Sequence, residues 1–370
     1  MITERRHDID WLRVIAIGLL LIYHIAIVFQ PWAMFIGFIR SEQLMEPLWT
    51  AMGLLNVWRI PLLFFVSGMG VYFAMQKRNW PKLMLDRGLR ILLPYVFGLL
   101  AIVPLHIYLF QHYYNLPLSH MAHPGHLWFL ANIYMYVMIL SPLFYYLKKR
   151  PDNRFNRIFT TLIRSPFGPL LTSVFFVAEV MVVNPQNFSL YAQTLHGLVI
   201  GFLAFLFGYL FVSSGEAFWK TVSKWWWMYL GMAALLYTLR LVEYNMAAPN
   251  YLIAIESNCW IFGIFGLGRK YLNRPSKVLT YLSQAAYPVY IIHMAALYAG
   301  CVLILPLEMA VIWKFVLINA FTFLTCLVVY EFLIRRVGIL RLLHGMKWPY
   351  FDKLLSKIKL PVKQRLQKSQ

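Results

Sequence analysis

Ten apolar runs, each long enough to cross a hydrocarbon core as a helix, dominate this chain. A spanning helix needs about 17–25 predominantly apolar residues. Such runs lie at roughly 10–30, 48–75, 89–111, 126–147, 168–184, 195–213, 225–242, 250–268, 286–305 and 309–334. The fifth is the weakest, being short and carrying Glu179. The runs are continuous rather than alternating with period two, which predicts helices and not a barrel. Composition closes the soluble alternatives, because 61% of the residues are hydrophobic and 13% charged. A soluble domain has about 45–50% and about 25%. The aromatic content excludes disorder, and three cysteines without a Cys-x-x-Cys spacing exclude a disulfide scaffold. The expected fold class is all-α, a polytopic membrane bundle of about ten helices.

A net charge of +20 would suggest nucleic acid in a soluble protein. Here its distribution matters more. Of 34 Lys and Arg residues, all but Arg40, Arg59, Arg240 and Lys314 fall at the two ends of the chain or in every second connection. Lys and Arg accumulate on the cytoplasmic side, so both termini are expected there, with no nucleic-acid partner. This reading makes the chain a multi-pass membrane protein, with the lipid bilayer as its first partner. Residues 1–345 read as one transmembrane domain and 346–370 as a basic cytoplasmic tail lying on anionic lipid. No small-residue cleavage site follows the first run, so it reads as an uncleaved helix.

Ionisable side chains inside a span cost several kcal/mol and mark candidate functional positions. Here they are His24, Arg59, His106, Glu179, Glu256 and His293, with Arg13 at the inner edge of the first run. Arg13 and His24 stand eleven residues apart, close to three helical turns and about 16 Å. They share one face, as a long ligand would need if one end were anionic and the other reactive. The alternative is a topological anchor and a histidine bonded to a neighbouring helix. Arg59 is too deep to snorkel and needs a partner or an aqueous cavity. Glu179 or Glu256 could pair with it, or Arg59 and Glu256 could contact substrate. Arg87 and Arg90 make neighbouring guanidinium forks suited to phosphate, or serve as ordinary topological charge. His112, His120, His123 and His126 crowd one outer connection without metal-ligand spacing, and read as a shaped rim rather than a metal site.

Taken in order, these residues resemble a known family. Arg13-x10-His24 is followed by Trp58-Arg59-Ile60-Pro61, Phe64-Phe65-Val66-Ser67-Gly68, Arg87-x-x-Arg90 with Pro94, His126-Leu127-Trp128-Phe129-Leu130 and Tyr287-Pro288-Val289-Tyr290-Ile291-Ile292-His293. The set resembles the membrane acyltransferase-3 family over about residues 5–345. Within it, the sequence is similar to the branch containing the succinyltransferase of osmoregulated periplasmic glucans. No single motif is specific; the ordered set is.

The resemblance implies a multi-pass O-acyltransferase of the inner (plasma) membrane that takes an acetyl or succinyl group from cytoplasmic acyl-coenzyme A (acyl-CoA) and delivers it to a hydroxyl of a glycan or other envelope acceptor. Acyl-CoA would be a co-substrate, with no permanently bound cofactor and no metal. His24 matches the family's catalytic histidine, Arg13 its partner arginine, and Arg87 and Arg90 its cytoplasmic pair for the donor. Arg59, Ser67 and His293 match further motif positions, and His126 and Trp128 fall in a motif expected to face substrate. The extra periplasmic domain of some members is not expected here. The chemistry suits the residues. Arginines at the inner mouth can hold the donor's phosphates, an imidazole can take the acceptor's proton, and Ser67, Arg59 or His293 could stabilise the oxyanion. The same intramembrane charges would also serve a multi-span transporter or exporter with a proton or anion pathway. No convincing repeat between residues 1–185 and 186–370 supports that architecture.

Overall fold

The computed structural model describes residues 5–348. The tail expected over 346–370 therefore lies, from 349 onward, outside the described residues. Among them the chain is helical throughout, with no strand. Eight helices are long and apolar enough to cross a membrane. They are α1 (His7–Val28), α2 (Leu48–Gln76), α3 (Trp80–Tyr113), α4 (Gly125–Lys149), α7 (Leu195–Ser213), α9 (Asn250–Leu272), α10 (Lys277–Ile304) and α11 (Val311–Ile334). Between them come the short α5 (Arg154–Ile163), the apolar α6 (Gly168–Val183) and the long α8 (Glu216–Val242), and α12 (Gly338–Leu343) closes the series.

All ten expected runs are thus helices, but two differ from the others. α6 is short for a span, and α8 is made less apolar by its tryptophans and Arg240. α8 also has a non-helical Trp225, where its polar first turns bend away from the apolar remainder.

Small residues set the closest packing. A Cβ on Gly68 of α2 would lie 2.0 Å from the carbonyl oxygen of Phe205, and one on Gly208 of α7 would lie 2.1 Å from that of Phe65. The two backbones therefore touch, each through the other's glycine, as membrane helices do where small residues face each other. α8 packs along α9 and α6 against α9, while α10 packs against α11 and α3. α1 is wedged between α2 and α10. Side chains from all three helices therefore meet along it.

Prolines shape this junction and the neighbouring α3. Pro61 has no N–H to offer the Val57 carbonyl four residues earlier. That carbonyl accepts instead from the Tyr191 hydroxyl at 3.1 Å and the Ser257 hydroxyl at 2.9 Å, which ties α2 to the 184–194 connection and to α9. In α3, π-helical turns at Gly88–Leu92 and Gly98–Ile102 run up to Pro94 and Pro104. A wide turn accommodates a residue that cannot donate, and such turns recur at functional sites.

Candidate functional site

His24 projects from α1 toward α10. Its Nδ1 lies 2.8 Å from Nε2 of His293, and the two rings are parallel, 5.1 Å between centroids and 5° between planes. On the far side, Nδ1 of His293 is 2.6 Å from the carbonyl oxygen of Tyr290. A carbonyl only accepts, so Nδ1 of His293 carries a proton, and Nε2 of a neutral His293 must then accept. His24 donates through Nδ1, which leaves its own Nε2 with a free lone pair. His24 is half-buried, whereas Ile25 and Ala26 beside it are fully enclosed.

His126 belongs to this group rather than to the rim. Its ring lies edge-on to His293 at 4.9 Å and 81°, and its Nε2 donates to the Ile291 carbonyl at 3.0 Å. The Tyr290 hydroxyl in turn donates to the His126 carbonyl at 2.5 Å. Nδ1 of His126 and Nδ1 of His106, in rings 5.8 Å apart, are both buried without a partner. His120 and His123 stay in the outer connection, bonded to the Leu100 carbonyl and the Gly125 N–H. Trp128 packs edge-on to Phe129 and near Phe64. No group of His, Cys, Asp or Glu among the described residues could hold a metal ion.

Arg59 is completely buried and has no carboxylate partner among the described residues. Two of its nitrogens donate at 3.2 Å, to the Leu19 carbonyl and the Asn56 side chain, and Nε is left unpaired. Its guanidinium lies 4.2 Å above the Tyr23 ring, and Tyr23 in turn packs beside His24. Burial holds the nearby Tyr191 phenol well above its ordinary range, so it does not supply a counter-charge. Glu179 and Glu256 are engaged elsewhere. Glu179 bonds His196 at 2.8 Å, and Glu256 meets Arg240 at 2.9 Å and Trp260 at 3.3 Å. Neither reaches the Arg59 guanidinium. The Ser67 hydroxyl donates to the Leu63 carbonyl of its own helix at 2.7 Å, and sits about 12 Å beyond Arg59 along α2.

The basic residues expected at the inner end gather around one acid. Asp86 receives Arg90 at 2.9 Å, Arg78 at 3.2 Å and Arg87 at 4.0 Å. Arg87 ends the first α-helical stretch of α3, and Arg90 sits on the π-turn that follows it. A cavity of about 290 Å3 opens here, lined by Arg78, Lys82, Asp86, Arg90, Lys347 and Trp348 among others. Arg13 makes a separate pair with Asp10 at 2.8 Å and is partly exposed.

Sequence reasoning missed the residues that set the roles of the others. The Tyr290 carbonyl fixes the His293 tautomer, Asn56 and Tyr23 hold Arg59, and Asp86 gathers the arginines. Asn56 and Arg59 are three apart on one helix, and that spacing was a readable signal. The Tyr290 carbonyl had none, being main chain.

No curated protein and no solved structure matches the chain. The family model described as an acyltransferase domain, Acyl_transf_3, matches residues 6–331, nearly the whole of the membrane bundle. A helical membrane bundle centred on paired histidines therefore belongs to the acyltransferase-3 family and carries its acyltransferase domain.

Proposed function

We propose that the protein is an O-acyltransferase of the inner membrane in which His24 is the general base. The donor is an acyl-CoA carrying acetyl or succinyl, held by its phosphates at Arg87 and Arg90, with Arg13 at the same end. The acceptor is a hydroxyl of a glycan or another envelope molecule, and both chain ends lie in the cytoplasm. The observation that carries this reading is the chain from Tyr290 through His293 to His24. It leaves a lone pair on Nε2 of a histidine whose other nitrogen is committed.

In the proposed reaction, Nε2 of His24 takes the proton of the acceptor hydroxyl as its oxygen attacks the thioester carbonyl carbon. The tetrahedral intermediate places negative charge on the former carbonyl oxygen. Arg59 is the best candidate to meet it, because His293 has no proton left to donate and the Ser67 hydroxyl is turned onto its own helix. Collapse forms the ester, breaks the carbon–sulfur bond and expels the coenzyme A thiolate, which takes the proton back from His24. Direct transfer needs no covalent acyl-enzyme. His126 and Trp128 would line the acceptor's approach, whereas Glu256 is taken up by Arg240 and Trp260 and is left out of the proposed substrate contacts.

The transport alternative needs exchangeable intramembrane carboxylates. Glu179 and Glu256 are each closed in a pair, which favours transfer. The test uses inside-out vesicles with wild type or His24→Ala and acyl-CoA labelled in the acyl group. Label should reach a glycan or lipid fraction only with wild type, and equal transfer by the variant would remove His24 as base.

A further inference from the structure

Helix α5 takes no part in the His24 group or in the arginine cavity at the inner end. Turns of a few residues join it to α4 and α6, so it lies where those helices leave the apolar zone. Its circumference divides into three arcs. Phe159 and Ile163 are buried against the bundle, with Phe159 stacked on Phe211. Phe155, Ile158 and Leu162 form the next arc and are 50%, 57% and 37% exposed. Arg154, Arg157 and Thr161 follow, all exposed. A short helix with an open apolar stripe beside a basic edge lies in the plane of a membrane interface.

Where the last two arcs meet there is a groove of about 460 Å3, lined by Arg154, Arg157, Ile158, Thr161 and Leu162. Neither arginine has an ion pair or a side-chain hydrogen bond among the described residues. Three residues apart on one helix, the two guanidinium groups face the same way, and together they suit phosphate oxygens.

We propose that this groove seats the headgroup of an acidic phospholipid. Arg154 and Arg157 take the phosphate, the Thr161 hydroxyl donates to it, and the upper acyl chain runs along Ile158 and Leu162. A lipid fits better than a soluble anion because the charged and the apolar residues line one groove, and a free phosphate would leave the apolar half unused. The site is independent of the acyl-transfer reading.

The test reconstitutes the full chain into phosphatidylcholine bilayers containing a minor fraction of spin-labelled phosphatidylglycerol, and reads the motionally restricted fraction. In Arg154→Gln/Arg157→Gln the preference for phosphatidylglycerol should fall, by about five-fold for each arginine lost. Both side chains are exposed, so folding is not at risk. Lys220→Gln/Lys224→Gln removes equal charge from the same basic side and should leave the preference unchanged. An equal fall in both pairs would mean general surface charge and overturn the proposal, as would no fall in the first. Displacement of the labelled lipid by inorganic phosphate at constant ionic strength would also overturn it, by making the site one for a soluble anion.

Discussion

His293 accepts its hydrogen bond from His24 and does not return one, because its only proton is already given to the Tyr290 carbonyl. In the proposed reaction, the direction of that bond leaves Nε2 of His24 able to act as the base. His293 is therefore a positioning residue in the proposed reaction. His293→Ala should lower kcat about 10- to 100-fold, less than the loss of about 10²–10⁴ expected on removing the base itself in His24→Ala. KM for the acyl donor should not move. A variant whose KM rises with kcat unchanged would make His293 a binding group instead.

Arg59 offers a test that separates chemistry from structure. Replacing one oxyanion donor costs about 10²–10³ in turnover, so Arg59→Met should lose activity on that scale. It also removes a buried cation that has no carboxylate partner among the described residues, and apolar replacement of buried charge is often neutral or stabilising. The thermal midpoint should hold or rise. A clear drop, measured in the same detergent, would make the bonds to Leu19 and Asn56 the reason for the arginine.

Glu256 should behave in the opposite way. Its pair with Arg240 is buried on both sides, and breaking such a pair costs about 3–5 kcal/mol. Glu256→Gln should therefore melt early, and Arg240→Met in the same chain should restore most of the loss. A Glu256→Gln protein of normal stability but weak acceptor binding would return Glu256 to the substrate.

Gly68 and Gly70 make a controlled pair on one helix. A Cβ at Gly68 meets the Phe205 carbonyl at 2.0 Å, whereas one at Gly70 meets nothing within 4 Å. Gly68→Ala must push α2 from α7 and should cost about 1–3 kcal/mol. Gly70→Ala should be stabilising by about 0.5–1 kcal/mol, through the lower helix propensity of glycine. Thermal melting of the two variants beside wild type checks both signs.

The donor end gives a kinetic prediction. Arg87→Gln and Arg90→Gln should each raise KM for acyl-CoA about tenfold or more, the scale of a hydrogen bond to a charged group, and leave kcat near wild type at saturating donor. An unchanged KM in both would place the phosphates elsewhere.

Much of the bundle was legible because hydrophobic length is a one-dimensional property. Each apolar run became a helix, and the two that fall short of a full span do so for readable reasons: α6 is brief, and the Trp225–Trp227 run and Arg240 burden α8. The ordered motifs singled out both His24 and His293, but their pairing was not legible, since 269 residues separate them. Partner choice among buried charges was not legible. Arg59, Glu179 and Glu256 fall at similar depths in the sequence, and only the packing shows that the two acids turn to His196 and Arg240. Depth along a helix can be read from residue number, but the azimuth of its neighbours cannot.

The mutual glycine contact between Gly68 and Gly208 divides the molecule mechanically. Two backbones in direct touch have no side-chain cushion to shear, so α2 and α7 form a stiff spine that carries Arg59 at a set height. α3 is built differently, with two over-wide turns and two prolines that interrupt its hydrogen-bond ladder. It is jointed where the spine is rigid, with Arg90 on the first joint and Arg87 directly before it. In the proposed reaction, a slender donor entering between them would bend α3 and leave the spine in place, so that loading and alignment would fall to different parts of the same bundle.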